Sequence, residues 1–342
     1  MAIRFRNDYS ELAHPNVLNA LVKANNVQHG TYGLDAHSEN AKKLIKETFN
    51  LTNSEIHFVT GGTQANLLVI SYFLRPYEGV ICCDTGHINV HETAAVEATG
   101  HKIYTVKNVD GKILKEDVVE ALWFNNNEHT VKLKMVYISN SSETGTIYNK
   151  KELEELYQVC KENDLILFID GARLASALTS KDNDIEIKDF ASLCDVFYIG
   201  GTKNGLMSGE AIVLNNVTQE TYFRHHIKNK GAMLAKGYAL GIQFEEIFTN
   251  NLYFDIAKHA NKMADLIKEN LLAGGVKVAN SPTNQIFVTL SKKASQLAIE
   301  KYDLELWEEK ETENVVRIVT SFNTNVESCK ELINDIISFN KL

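Results

Sequence analysis

Polar and apolar positions along this chain fall into two textures. Short, almost continuously apolar runs come first: "EIHFV", "GVICCD", "KIYTV", "KMVYIS", "LILFID", "DVFYIG" and "EAIVLN", starting at residues 55, 79, 102, 134, 165, 195 and 210. Runs of this length and character predict strands. Between "KMVYIS" and "LILFID" lies "NKKELEELYQVCKEND", where Leu153, Leu156, Tyr157 and Cys160 recur at helical spacing against a charged opposite face. Strand, helix and strand in about thirty residues make a βαβ unit. Strands with no polar face belong to a sheet covered on both sides. "DVFYIG" and "EAIVLN" continue the series and leave room for an antiparallel partner.

From about Asn250 the texture changes. "NLYFDIAKHANKMADLIKENLLAGG" reads as a long helix stopped by a glycine pair. Two strand-like runs, "QIFVTL" and "VVRIVTSF", and a closing helix "VESCKELINDIISFNKL" follow. This predicts a separate, smaller α+β unit whose boundary falls in a helix.

Composition narrows the functional classes. The chain has 342 residues, 44% of them hydrophobic, enough for one large domain and a smaller one. Its net charge of −9 and pI near 5.7 argue against a nucleic-acid partner or an anionic membrane surface. No apolar run approaches the roughly 20 residues that cross a bilayer, and the start "MAIRFRNDYSELAHP" lacks the apolar stretch of a secretory signal. Five cysteines without paired spacing read as reduced thiols, Cys82 and Cys83 as core, and the expected location is cytoplasmic. No His or Cys spacing suggests a metal.

In open, mostly parallel sheets ligands bind at the carboxyl ends of the strands, so the residues after each run are the candidates. "EIHFVT" leads into Gly61, Gly62 and Thr63 at the start of an apolar helix. That is a seat for a phosphate dianion, or simple helix capping. "VICCD" leads to His87. "LILFI" ends on Asp170, a carboxylate that must find donors or a cation; Arg173, three residues on, offers a structural pair. The other reading has Asp170 hold a proton on a bound heteroaromatic ring and leaves Arg173 for an anionic substrate. "VFYIGG" leads to Lys203, where a partly apolar cleft would lower the amine's pKa and ready it to attack an aldehyde. The flanking glycines suggest close approach of the backbone to a flat ligand. Phosphate seat, histidine, acid and lysine in this order are the parts that pyridoxal phosphate requires. His91 reads as a packed or surface histidine and Glu92 as a helix-start charge.

These segments together resemble the low-specificity L-threonine aldolases, in the beta-eliminating lyase branch of the fold type I pyridoxal phosphate enzymes. The likeness runs through "RNDYSELAHPNVLNAL", "HGTYGLDAHSENAKKLI", "VTGGTQANL", "GHINVHETAAVEATGHKI", "LFIDGARLASAL", "FYIGGTKNG", "KGAMLAKGYALGIQFE" and "VVRIVTSFNT". It implies an aspartate-aminotransferase-like α/β fold: a mostly parallel seven-stranded central sheet plus a smaller α+β C-terminal domain. The expected division is an arm at 1–20, a large cofactor-binding domain at 21–248 and a small domain at 249–342.

The resemblance also implies roles. Lys203 would form the Schiff base with pyridoxal 5'-phosphate, Asp170 would pair with the pyridine nitrogen and His87 would stack on the ring. Gly62, Thr63 and Gln64 would hold the phosphate. Arg173, Arg317 and Asn7 would grip the carboxylate of an amino-acid substrate. Tyr32 and Gly33 match a segment that often serves a neighbouring subunit's site, so a homodimer or homotetramer is expected. The implied reaction cleaves threonine or allo-threonine to glycine and acetaldehyde, with His87 or a water it holds taking the β-hydroxyl proton; the alternatives are another pyridoxal phosphate lyase acting by β-elimination on amino acids and a non-catalytic protein that binds the cofactor or an amino acid. The chain departs from the family pattern at "ISNSSETGTIY", where a second active-site histidine gives way around Ser142 and Glu143. It departs again at "GAMLAKG", which lacks the arginine that supports phosphate across the interface; Lys228 or Lys236 is the substitute expected.

Overall fold

The seven early apolar runs form one sheet in the computed structural model of the chain, which describes residues 3–107, 109–216 and 221–341. The strands are β1 (Glu55–Val59), β2 (Glu78–Cys83), β3 (Lys102–Val106), β4 (Lys132–Ser139), β5 (Ile166–Asp170), β6 (Val196–Gly200) and β7 (Glu210–Leu214), in the order β1-β7-β6-β5-β4-β2-β3. From β6 to β3 all pairings are parallel, and β7 runs antiparallel to both its neighbours.

Continuous apolar strands follow from burial on both faces. Leu167 and Ile169 of β5 and Phe197 and Ile199 of β6 enter one apolar layer; Phe168, Val196 and Tyr198 enter the other. Cys82 and Cys83 of β2 likewise point to opposite layers. The helix Lys150–Glu162 covers the first layer through Leu153 and Leu156, and the helix Gly62–Phe73 covers the second through Leu68 and Val69. The former starts with a reciprocal cap. Asn149 accepts from the Glu152 N–H at 2.9 Å, and Glu152 accepts from the Asn149 N–H at 2.9 Å.

The C-terminal region builds a second, antiparallel sheet from β8 (Lys277–Val278), β9 (Gln285–Ser291), β10 (Glu305–Glu309) and β11 (Glu313–Val319), in the order β10-β11-β9-β8. The long helix Leu252–Ala273 and the last helix Val326–Phe339 pack on it. The start of the chain joins this layer. The Phe5 N–H donates to the Tyr302 carbonyl at 3.0 Å, the Phe5 carbonyl accepts from the Val319 N–H at 2.8 Å, and the Phe5 ring is buried in the same core. Among the described residues no helix is long and apolar enough to cross a membrane, and the five cysteines are buried and free of disulfides.

The helices Ala36–Thr48 and Tyr238–Phe248 touch backbone to backbone at Gly241. A methyl group there would fall 2.6 Å from the Ser38 nitrogen and 2.7 Å from its Cα. Gly241→Ala must therefore separate the helices. It is expected to cost about 1–3 kcal/mol, read as a lower denaturant midpoint at unchanged slope.

Candidate active site

The carboxyl ends of β5 and β6 carry the two residues that the sequence marks most strongly. Asp170, the last residue of β5, is 3% exposed. Its carboxylate accepts from the hydroxyls of Tyr137 and Tyr198, from the Ala172 N–H at 2.9 Å and from Asn66 Nδ2 at 3.3 Å. Burial and the neighbouring Asp170 charge push both tyrosines well above their ordinary pKa, so they remain donors. The structural Asp170–Arg173 pair that sequence allowed does not form.

Arg173 turns instead to Asp8 in the N-terminal arm, donating through Nε at 2.8 Å and Nη2 at 3.0 Å. Asn284 Nδ2 also donates to Asp8, at 2.9 Å. Burial opposes the Asp8 charge, but the charges of Arg173 and Lys203 outweigh it and hold the carboxyl below its ordinary range. Asn7, the arm residue singled out in sequence, spends its side-chain oxygen on the Tyr9 N–H at 3.0 Å and the Ser10 hydroxyl at 2.9 Å.

Lys203 stands on the turn after β6, and that turn is tied at several points. The N–H groups of Gly201 and Thr202 both reach the Gly209 carbonyl at 3.1 Å, Gly201 also donates to the Glu210 carboxylate at 2.8 Å, and Asn204 Nδ2 holds the Tyr253 carbonyl at 2.8 Å. The glycines serve chain packing here: a Cβ on Gly200 would sit 2.2 Å from the Ala172 carbonyl oxygen. Burial first and the Arg173 charge second lower the Lys203 pKa. Its amine lies over the Tyr9 ring, 5.8 Å from the centroid.

His87 opens the short helix His87–Val90 and shares 2.7 Å with Glu92 through Nδ1. Glu92 lies beyond that helix with a fully buried side chain, so it is not the helix-start charge its place in sequence suggested. The same Glu92 oxygen accepts from Asn66 Nδ2 at 2.7 Å, and Asn66 thus bridges His87's partner to Asp170. Burial disfavours a charged His87, yet the Glu92 bond and the charges of Glu143 and Asp170 prevail and raise its pKa. His91 is exposed.

The helix Gly62–Phe73 begins without a side-chain cap. Thr63 is exposed, and Gln64 folds back to accept from the Thr60 N–H at 3.0 Å. The first N–H groups of the helix are therefore open to an anion. A Cβ on Gly62 would lie 2.9 Å from the Tyr198 hydroxyl, so this glycine leaves room for the group that holds Asp170. Arg317, on β11, donates to Gln285 Oε1 at 3.2 Å and pairs with Glu305, while its guanidinium lies 5.1 Å from the Trp307 ring centroid. Its Nε is buried without a partner.

Tyr32 stands apart from Lys203. Its carbonyl accepts from Arg224 Nη2 at 2.7 Å, and Lys228 Nζ lies 4.8 Å from its ring centroid. Sequence reasoning missed Asp8, Asn66, Glu92, Tyr137 and Tyr198 as partners of the site. Asn66 carried a signal, a fully polar residue on the buried stripe of an apolar helix. Asp8 carried none.

The profile of the beta-eliminating lyase family matches residues 5–316. A threonine aldolase structure from Leishmania major is 44% identical, covers 98% of each chain and superposes with a TM-score of 0.95. A low-specificity L-threonine aldolase of Pseudomonas aeruginosa is 28% identical over 336 residues, 96% of this chain and 95% of its own. Aspartate aminotransferase of Thermus thermophilus, 16% identical with a TM-score of 0.73 over 99% of this chain and 91% of its own, shares the fold. The architecture is thus the aspartate-aminotransferase-like fold. The chain belongs to the beta-eliminating lyase family.

Asp8→Asn leaves the buried Arg173 guanidinium facing neutral partners, a loss of about 3–5 kcal/mol. Because the folded pKa of Asp8 lies below the ordinary 3.8, the wild-type advantage is complete above that value and disappears as pH falls through the folded one. Denaturant midpoints of the two proteins should differ most at neutral pH and converge in acid.

Proposed function

We propose that this chain is a pyridoxal 5'-phosphate-dependent carbon–carbon lyase that cleaves L-threonine and L-allo-threonine to glycine and acetaldehyde. The observation that carries the reading is a lysine of lowered pKa following β6, beside the adjacent strand β5 that ends in a buried, four-donor carboxylate. The extended likeness to proteins named threonine aldolase supports the substrate class.

The donor set suits the cofactor. The uncapped start of the helix Gly62–Phe73 offers the N–H groups of Gly62, Thr63 and Gln64 to a phosphate. Lys203 supplies the amine for the Schiff base, Asp170 a carboxylate for the pyridinium N–H, and His87 a ring to lie on the pyridine face. Once bound, the cofactor supplies an electron sink for the pair left at Cα.

The remaining work belongs to the chain. Arg173 and Arg317, the latter with a buried Nε in need of an acceptor, hold the substrate carboxylate. That grip fixes the rotation about Cα and so selects which bond breaks. Tyr137 and Tyr198, kept protonated, donate to Asp170 and would hold it in place for the ring nitrogen.

A homodimer or homotetramer in the cytoplasm completes the reading, with Tyr32 serving a neighbouring chain's site and Lys228 beside it supporting that chain's phosphate. Exposed Tyr9, Leu12, Leu34 and Met207 are apolar surface of the kind that a second subunit covers.

Wild-type protein should show a visible absorption band and release acetaldehyde from L-threonine, followed through a coupled dehydrogenase. Lys203→Ala should lose both while keeping its fold. Release of ammonia and a 2-oxo acid in place of acetaldehyde would overturn the aldolase reading in favour of elimination.

A further inference from the structure

We propose that Glu143 is the catalytic residue that receives the β-hydroxyl proton of the substrate. The inference rests on the aldolase reading and deepens it.

Glu143 stands in the turn that follows β4, the strand next to β5. The turn is set at the same edge of the sheet as Asp170: the Asn140 N–H donates to the Asp170 carbonyl at 3.0 Å. It is closed on itself by the Ser142 N–H to the Thr146 carbonyl at 2.8 Å and the Gly145 N–H to the Ser142 carbonyl at 3.0 Å. The C-terminal region clamps it from outside. Ser281 and Thr283 donate to the Gly145 carbonyl at 3.2 and 3.0 Å, and Gln285 Nε2 reaches the Ser142 carbonyl at 3.3 Å. The other end of Gln285 accepts from Arg317. The backbone of Glu143 is thus indexed both to the residue proposed to pair with the ring nitrogen and to the arginine proposed to hold the substrate carboxylate.

Its side chain differs from every other carboxylate of the site. Asp8 is taken by Arg173 and Asn284, Asp170 by four donors, Glu92 by His87 and Asn66, and Glu305 by Arg317. Glu143 is half-buried and, among the described residues, has neither a hydrogen bond nor an ion pair. Its charge nevertheless bears on His87, Lys203, Arg173 and Arg317 together. A carboxylate with free lone pairs, within electrostatic reach of the four groups proposed to surround the substrate, is fit to accept a proton. His87 is less so. Its Nδ1 is committed to Glu92, and Glu92, Glu143 and Asp170 favour its charged form against burial and the opposing charge of Lys203. Whatever favours the charged form of the ring works against the neutral form, the one that has a lone pair to offer.

In the step proposed, the β-hydroxyl O–H bond breaks and its proton goes to a Glu143 oxygen. The C–O bond becomes the carbonyl of acetaldehyde as Cα–Cβ breaks, and the electron pair of that bond stays at Cα, stabilised by the cofactor. Glu143 then returns its proton to water.

The test compares wild-type holoenzyme with Glu143→Gln and Glu143→Asp. In Glu143→Gln, kcat for L-threonine should fall by about 10²–10⁴-fold with KM held within about threefold, and Glu143→Asp should recover part of the loss. Glycine has no β-hydroxyl, so its affinity by calorimetry and the solvent exchange of its α-proton should stay at wild-type levels. The His87 ring, followed by NMR, should titrate at lower pH once the Glu143 charge is gone. Threonine cleavage by Glu143→Gln at near wild-type rate would overturn the proposal, as would loss of glycine exchange in parallel with cleavage, which assigns Glu143 to the scaffold. A wild-type protein that exchanges glycine but yields no acetaldehyde would sink the aldolase reading itself.

Discussion

A carboxylate at the end of a strand buried on both faces is expensive to keep ionised, and the arrangement around Asp170 meets that demand. Two tyrosines from neighbouring strands, a backbone N–H and an asparagine from the covering helix all converge on it. Each contributes a donor in a low-dielectric setting where an unpaired charge would be costly. The two phenols must also stay protonated, and burial together with the charge they serve ensures that they do. Through Asn66 the same carboxylate is coupled to Glu92 and so to His87, which joins the two residues proposed to meet the cofactor ring in one network.

The cationic half of the site follows a different logic. Burial and the charge of Arg173 lower the Lys203 pKa, and Asp8 keeps that pair of positive charges tolerable. Arg173 presents Nε and Nη2 to Asp8, a forked geometry that fixes the guanidinium plane. Arg317 is oriented by Glu305, Gln285 and Trp307. Both arginines are therefore positioned before any ligand arrives, which spares a substrate the entropy of ordering them.

Much of this was legible in the sequence because it is local. The end of a continuous apolar run locates Asp170, Lys203 and His87 at one sheet edge, since the direction of parallel strands leaves no other place for them. β7 was readable as a strand with an antiparallel option, and its pairing to β1 and β6 realises that option. The partners were not legible, because which donor meets a buried charge is decided in three dimensions. Asp8 lies far from Arg173 in the chain, and Glu92 looks like a helix-start charge until the short helix ends before it. β10, "ELWEE", escaped because an edge strand facing solvent keeps the polar residues that disguise it. Glycines 200 and 201 suggested room for a ligand, whereas the chain itself fills that room.

The hydrogen bonds of Phe5 to Tyr302 and Val319 impose an order of assembly. A ribosome delivers Asp170 and Lys203 long before β11, so the cofactor seat can take shape on a growing chain. The arm that carries Asp8 has no strand to dock on until residue 319 has emerged, and Arg317 arrives at the same moment. Arg317 and the strand that seats the arm are thus the last parts of this constellation to leave the ribosome, and a prematurely terminated product would carry Asp8 on an arm with nowhere to lodge.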